Sequence, residues 1–174
     1  MTQTQIERSR TYAWSDPMET AAGLGRLSGL EMLHAMARGE LPAPPIMHTL
    51  GLSSFEVVGE GSATFVMRAQ EFHYNPIGTV HGGVIATMLD SAAGCAVHST
   101  LPVGWGYTSL DLTTKYLRPV TVTSGLLRCE GTVINRGRTT ALAEARLLDE
   151  RGRLCAYASS SCLLFEIPQD PTLR

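Results

Sequence analysis

Within residues 139–148 every second side chain is small or apolar. Ala141, Ala143, Ala145 and Leu147 fall on one face of an extended chain, and Glu144 and Arg146 fall on the other. That period of two marks a half-buried strand. A row of alanines on the buried face lets something bulky lie close, and the stretch 82–98 supplies it. There Val84-Ile85, Met88-Leu89, Ala92-Ala93 and Ala96-Val97 recur at helical spacing and form a wide apolar stripe. A long helix laid on a sheet of small side chains is the constraint that the rest of the chain must meet.

Three further segments after the helix, roughly 107–117, 122–134 and 153–166, have strand character. In 126–134, Arg128, Glu130 and Thr132 interleave with Leu127, Cys129 and Val133. Asn135-Arg136-Gly137 and Asp149-Glu150-Arg151-Gly152 are turn signals between strands. Before the helix, Phe55 to Val58 and Ser62 to Ala69 flank Gly59-Glu60-Gly61 and read as a hairpin. Further upstream, Ser28 with Glu31 three residues on forms a capping box for a helix carrying Leu30, Leu33 and Met36-Ala37, which Gly39 and Pro42 stop. The order is helix, two strands, long helix, four strands. It predicts an α+β fold with one antiparallel sheet of six strands wrapped on one helix. Such a sheet leaves an edge and an apolar flank uncovered, so a dimer is expected.

Composition narrows the function classes. The chain has 174 residues, 44% of them hydrophobic and 17% charged, which excludes a disordered chain. A net charge of -2 carries no nucleic-acid footprint. Cys95, Cys129, Cys155 and Cys162 form no CxxC pair and no zinc spacing, and each sits in an apolar run. They read as reduced core residues of a cytoplasmic protein. The polar start has no signal-peptide core, and no run approaches membrane-spanning length. Residues 1–27 read as a flexible tail, 28–168 as one domain and 169–174 as a second tail.

The chemistry concentrates in residues 75–90, Asn-Pro-Ile-Gly-Thr-Val-His-Gly-Gly-Val-Ile-Ala-Thr-Met-Leu-Asp. The long helix begins at Gly82-Gly83. Two glycines let a ligand approach the backbone, and the unpaired N–H groups there carry the positive end of the helix dipole. That end can polarise a carbonyl oxygen or hold a developing oxyanion. Asp90 shares a stripe with the small residues Gly83, Ala86-Thr87 and Gly94, and a carboxylate on a largely buried helix is costly unless it is paired or used. Gly82 and Asp90 are eight residues apart, about 12 Å along a helix at 1.5 Å per residue. Both can act on one group only from different subunits.

Asn75, His81-Gly82-Gly83 and Asp90, followed by Ser109-Leu110-Asp111 and Tyr116-Leu117-Arg118-Pro119, resemble the hotdog-fold acyl-CoA thioesterases of the PaaI type over about residues 28 to 166. The resemblance implies hydrolysis of an acyl-CoA to free acid and CoA, with coenzyme A as part of the substrate and no separate cofactor. It implies that Asp90 is nucleophile or general base and that Gly82 N–H polarises the thioester carbonyl. Asn75 would orient the carbonyl or the water, and His81 would brace the turn. Ser109 or Thr108 would assist. Gly83 and the exposed Arg136 and Arg138 would contact the CoA moiety. The family forms dimers and commonly dimers of dimers.

Other readings exist for the same residues. Asn75 before Pro76 also suits an Asx turn. Cys95 and His98, three apart on a helix, could form a thiol nucleophile, although a buried helical cysteine is more often core. His81 lacks partners at metal-ligand spacing. Met32, Met36, Met47, Met67 and Met88 suit a core or a ligand tunnel. At the level of function, the alternatives are a non-catalytic acyl-CoA-binding protein and an enoyl-CoA hydratase on the same fold.

Overall fold

A computed structural model describes residues 7–167. Residues 1–6 of the first expected tail, residue 168 and the whole of the second expected tail, 169–174, lie outside the described residues. The long helix, here α4 (Gly82–His98), follows α1 (Pro17–Ala21), α2 (Gly29–Ala37) and α3 (Pro45–Leu50). The strands are β1 (Ser54–Gly59), β2 (Ser62–Arg68), β3 (Trp105–Ser109), β4 (Thr113–Tyr116), β5 (Leu126–Arg136), β6 (Thr140–Leu148) and β7 (Leu154–Glu166). All pairings are antiparallel, in the order β1-β2-β5-β6-β7-β3, with β4 also on β7. The sheet curls about α4 as the hotdog resemblance implies.

The alanine row performs the role its spacing predicts. Ala143, Ala145 and Leu147 of β6 and Ala158 of β7 are fully buried, as are Met88, Leu89, Ala92, Ala93 and Val97 of α4. The closest approach occurs one strand away, at Gly131 of β5. A Cβ at this position would lie 2.1 Å from the Ala92 carbonyl oxygen, inside any allowed contact. Gly131 is therefore a packing requirement and not a flexible joint.

The sheet has seven strands rather than the six expected, yet only six positions across its width. Strand 107–117 is broken: β3 pairs with residues 162–166 of β7 and β4 with residues 156–159. Between them Ser160 Oγ donates to the Asp111 carbonyl at 2.7 Å, and Ser161 N–H donates to Asp111 Oδ1 at 3.0 Å. These bonds draw residues 110–112 out of the ladder. The start of the next strand is also corrected, because residues 122–124 form a 3₁₀ turn and Gly125 adopts φ +73° before β5 begins.

The helix expected after Ser28 is present with its full capping box. Ser28 Oγ accepts from Glu31 N–H, and Ser28 N–H donates to the Glu31 carboxylate at 2.8 Å. α2 rests on the C-terminal end of α4: Gly29 N–H donates to Leu101 O at 2.9 Å, and a Cβ on Gly29 would overlap the His98 carbonyl. In the stretch expected to be a tail, residues 17–25 form α1 and a 3₁₀ turn. Two bonds hold them: Thr20 Oγ1 to Pro42 O, and Gly104 N–H to Leu24 O.

His98 is the cost of this junction. It is 7% exposed, and its Nδ1 has no hydrogen-bond partner among the described residues. Burial holds its imidazole down at about 4. An unfolded histidine takes its proton near 6.5, so between 6.5 and 4 the unfolded chain binds a proton that the folded chain refuses, and stability falls as pH drops through that window. His73, also lowered by burial, acts in the same direction. His98→Leu should flatten the dependence of unfolding free energy on pH across this window by up to ~3 kcal/mol. Urea titrations at stepped pH measure this, and an unchanged slope would show that His98 protonates in the native state. For the packing, Gly131→Ala should cost about 1–3 kcal/mol. Gly59→Ala, whose Cβ meets nothing within 4 Å, should be near neutral by the same titration.

Candidate active site

The loop that leads into α4 is built around two side chains. His73 is buried, accepting from Gln70 N–H at Nδ1 and donating from Nε2 to Leu50 O at 2.7 Å. Its own carbonyl accepts from His81 N–H at 2.8 Å and so sets where the helix starts. Asn75 closes the next turn. Its Oδ1 accepts from the N–H groups of Ile77 and Thr79, both at 3.1 Å, and its Nδ2 donates to Thr79 Oγ1 at 3.0 Å. The Asx-turn reading is thus correct for its oxygen, whose capacity is used. One Nδ2 hydrogen remains available.

His81 is the N-cap of α4, with Nδ1 accepting from Gly83 N–H at 2.9 Å. A nitrogen that accepts is unprotonated, so the neutral ring carries its proton on Nε2. A Cβ on Gly83 would lie 3.0 Å from His81 Nδ1, which explains the second glycine. Thr87 Oγ1 donates to Gly83 O at 2.9 Å. The N–H of Gly83 is therefore taken, whereas Gly82 N–H has no partner among the described residues. It lines a hollow of about 310 Å³ with Asn75, Tyr116 and Arg118.

Asp90 lies two turns along α4, half-buried, in a second hollow of about 360 Å³ lined by Ala86, Thr87, Ser109 and Asp111. Ser109 Oγ donates to Asp90 Oδ1 at 2.8 Å, and Oδ2 has no partner among the described residues. Of Ser109 and Thr108, only Ser109 faces Asp90 among the described residues. Tyr107 of the same strand packs against Gly94 of α4, so Ser109 shares the helix-facing side and Thr108 points away. One oxygen of the carboxylate is held and the other is open.

The structure separates the remaining candidates. Arg136 and Arg138 are exposed in the β5–β6 hairpin and line neither hollow. The register places Thr140 opposite Leu163, and Leu163 opposite Thr108, so that hairpin is two strand spacings, about 10 Å, from the Ser109 end of β3. Among the described residues Cys95 makes no hydrogen bond to His98, whose Nδ1 is unpartnered, and burial, with Asp90 adding to it, raises the Cys95 thiol to about 12. Met67 and Met88 are core, and Met36 is only partly buried. Among the described residues no group of three or more His, Cys, Asp or Glu could hold a metal ion, and no helix is long and apolar enough to cross a membrane.

Sequence reasoning gave no role to Tyr116, whose hydroxyl donates to Gly82 O at 3.0 Å. Its place in the Tyr116-Leu117-Arg118-Pro119 motif was the only signal, because a contact from β4 to the start of α4 leaves no local periodicity.

Comparison with known proteins bears on the family and the fold. The thioesterase superfamily profile matches residues 77–156. An esterase of Halobacterium salinarum is 42% identical over 69 residues, 38% of this chain and 44% of that relative. Acyl-coenzyme A thioesterase 13 of Mus musculus is 31% identical over 91 residues, 52% of this chain and 64% of that relative. The match spans less than two thirds of either relative's length. A crystal structure of a thioesterase, a phenylacetic acid degradation-related protein of Ralstonia eutropha JMP134, is 33% identical with a TM-score of 0.68, covering 75% of this chain and 98% of that one. The fold and the match define a hotdog protein. The chain belongs to the thioesterase superfamily, with PaaI-like structural neighbours.

All four cysteines are free, and burial raises the thiols of Cys129, Cys155 and Cys162 as well as that of Cys95. An aromatic disulfide reagent at pH 8 should leave the native protein unlabelled within minutes and count four thiols after denaturation. Fast labelling of native Cys95 would reopen the thiol reading.

Proposed function

We propose that this protein hydrolyses an acyl-CoA thioester to the free acid and CoA, at a site shared between two copies of the chain. The observation that supports this is the presence of one N–H, on Gly82, and one carboxylate oxygen, on Asp90, that have no partner among the described residues and lie in separate hollows. Eight residues of helix put them about 12 Å apart, too far for one thioester in one chain. Placed across a two-fold interface, the Gly82 end of one subunit meets Asp90 of its neighbour. The functional unit is then at least a homodimer, and the family resemblance implies a dimer of dimers.

In this reading the thioester oxygen accepts from Gly82 N–H, with the spare Nδ2 hydrogen of Asn75 as a second donor. Water attacks the carbonyl carbon while Asp90 takes its proton; collapse of the tetrahedral intermediate breaks the C–S bond, and the CoA sulfur is protonated. Alternatively, Asp90 attacks first and water opens the mixed anhydride. Both routes use the open Oδ2 and the Ser109 bond that aims it. Arg136 and Arg138, together with Gly83, are the proposed contacts for the CoA moiety, and the cytoplasm is the proposed compartment.

Asp90→Ala should abolish CoA release from an acyl-CoA panel while the fold persists. Gly82→Pro is the matching test of the N–H. Position 82 is the first helical residue, where proline is tolerated. His81 already has φ -59° and ψ 136°, which suits a residue before proline. A Cβ at 82 would also lie 3.3 Å from the Tyr116 ring, so Gly82→Ala, which makes that contact and keeps the N–H, is the control. Relative to it, loss of the N–H should lower kcat about 10²–10³-fold. Mixing the two inactive variants under exchange should restore about a quarter of wild-type activity, since half the dimers are mixed and each holds one intact site. No recovery despite exchange would show that Gly82 and Asp90 do not act across subunits. Tight acyl-CoA binding without turnover by the wild type would favour a binding protein, and enoyl-CoA hydration would favour a hydratase.

A further inference from the structure

We propose that Tyr116 is a positioning residue for the Gly82 N–H, an inference that rests on the hydrolytic reading above. Two consecutive glycines give the start of α4 the loosest backbone available, just where one N–H must be aimed within tenths of an ångström. Three side chains hold this pair. His81 Nδ1 takes Gly83 N–H, and Thr87 Oγ1 bonds Gly83 O, both from within the helix. Only Tyr116 comes from outside. Its hydroxyl donates to Gly82 O at 3.0 Å, and its ring lies 3.3–3.5 Å from where a Gly82 Cβ would be.

The anchor for this bond is firm. Tyr116 ends β4 opposite Ala156 of β7, and the next two N–H groups, of Leu117 and Arg118, both donate to Cys155 O at 2.8 and 3.0 Å. Tyr116 thus refers the first peptide of α4 to the sheet, whereas the other two ties refer it only to the helix. Among the described residues, three of the polar backbone groups of Gly82 and Gly83 accept or donate within the protein, and Gly82 N–H is left for substrate. Holding Gly82 O fixes ψ at Gly82, and the cap fixes the residue before it. The N–H between them then points one way.

Tyr116 is also 55% exposed and lines the Gly82 hollow, so direct contact with the CoA moiety is the competing role. Tyr116→Phe keeps the ring and removes only the hydroxyl. Positioning predicts kcat lower by about 3- to 10-fold, the scale of one neutral hydrogen bond, with KM within about twofold and an unchanged melting temperature. On the Gly82→Pro background the same change should have no further effect on kcat, because the N–H it aims is gone. Amide exchange at Gly83 and Ala86, followed by NMR on the full protein, should quicken several-fold in Tyr116→Phe. A higher KM with kcat retained would overturn the proposal in favour of substrate contact, and unchanged kcat and exchange would overturn it outright. If the wild type turns over no acyl-CoA, the hydrolytic reading fails by itself. The exchange rates then decide: faster exchange supports positioning, and unchanged exchange rejects it.

Discussion

The separation between α4 and the sheet is the dimension on which everything else depends. Gly131, Ala143, Ala145 and Ala158 bring the helix down until the Ala92 carbonyl lies where a Gly131 Cβ would be. At that distance the α4 face carrying Met88, Leu89, Ala92, Ala93 and Val97 is sealed and excludes water. The stripe with Gly83, Ala86, Thr87 and Asp90 is turned away from the deep core and stays partly open. A carboxylate on this stripe can be both solvated and held, as Asp90 is by Ser109. At the place of Leu89, one residue back, the same carboxylate would be fully buried. Packing of small residues therefore does more than stabilise the fold, because it selects which face of α4 is left for chemistry.

The second consequence is a division of the site. A helix keeps its N-terminus and its ninth residue about 12 Å apart, and α4 runs unbroken from Gly82 to His98 with no proline in it. The hollow at Gly82 is lined by Leu117 and the hollow at Asp90 by Leu110, and both side chains are more than half exposed, as is Ile77. A surface of this kind is costly in water when left bare. In the reading proposed, association would cover it and bring complementary halves together. The same apolar area then serves stability and catalysis.

How much of this was legible depends on whether the signal is local. The alternation of 139–148, the stripe of 82–98 and the Ser28–Glu31 box are patterns within one element, and the structure contains all three. The break at residues 110–112 was hidden because it depends on Ser160 and Ser161, fifty residues away. The late start of β5 was hidden in Gly125, whose positive φ a sequence pattern does not display. The ordered turns at 17–25 were missed because they lack periodicity and are held by bonds to Pro42 and Gly104. At the site, Asp90, Gly82, Asn75 and His81 stood out by type and spacing. Which of Ser109 and Thr108 faces Asp90 depended on strand register, and Tyr116 depended on the path of β4 over the start of α4.

That path also explains why Gly82 is glycine. The usual reason, freedom at positive φ, does not apply, since Gly82 is an ordinary helical residue and is not among the glycines with positive φ. The reason is proximity: a side chain there would press on the Tyr116 ring. Had position 116 been small, an alanine at 82 would have given a stiffer helix start by up to about 1 kcal/mol and left the N–H just as free. The chain instead combines the looser residue with a tyrosine that restrains it from the sheet. A backbone donor aimed by the sheet moves with the sheet. If the partner's carboxylate is carried on the same framework, the donor and the acid keep their relation even when the ends of α4 flex.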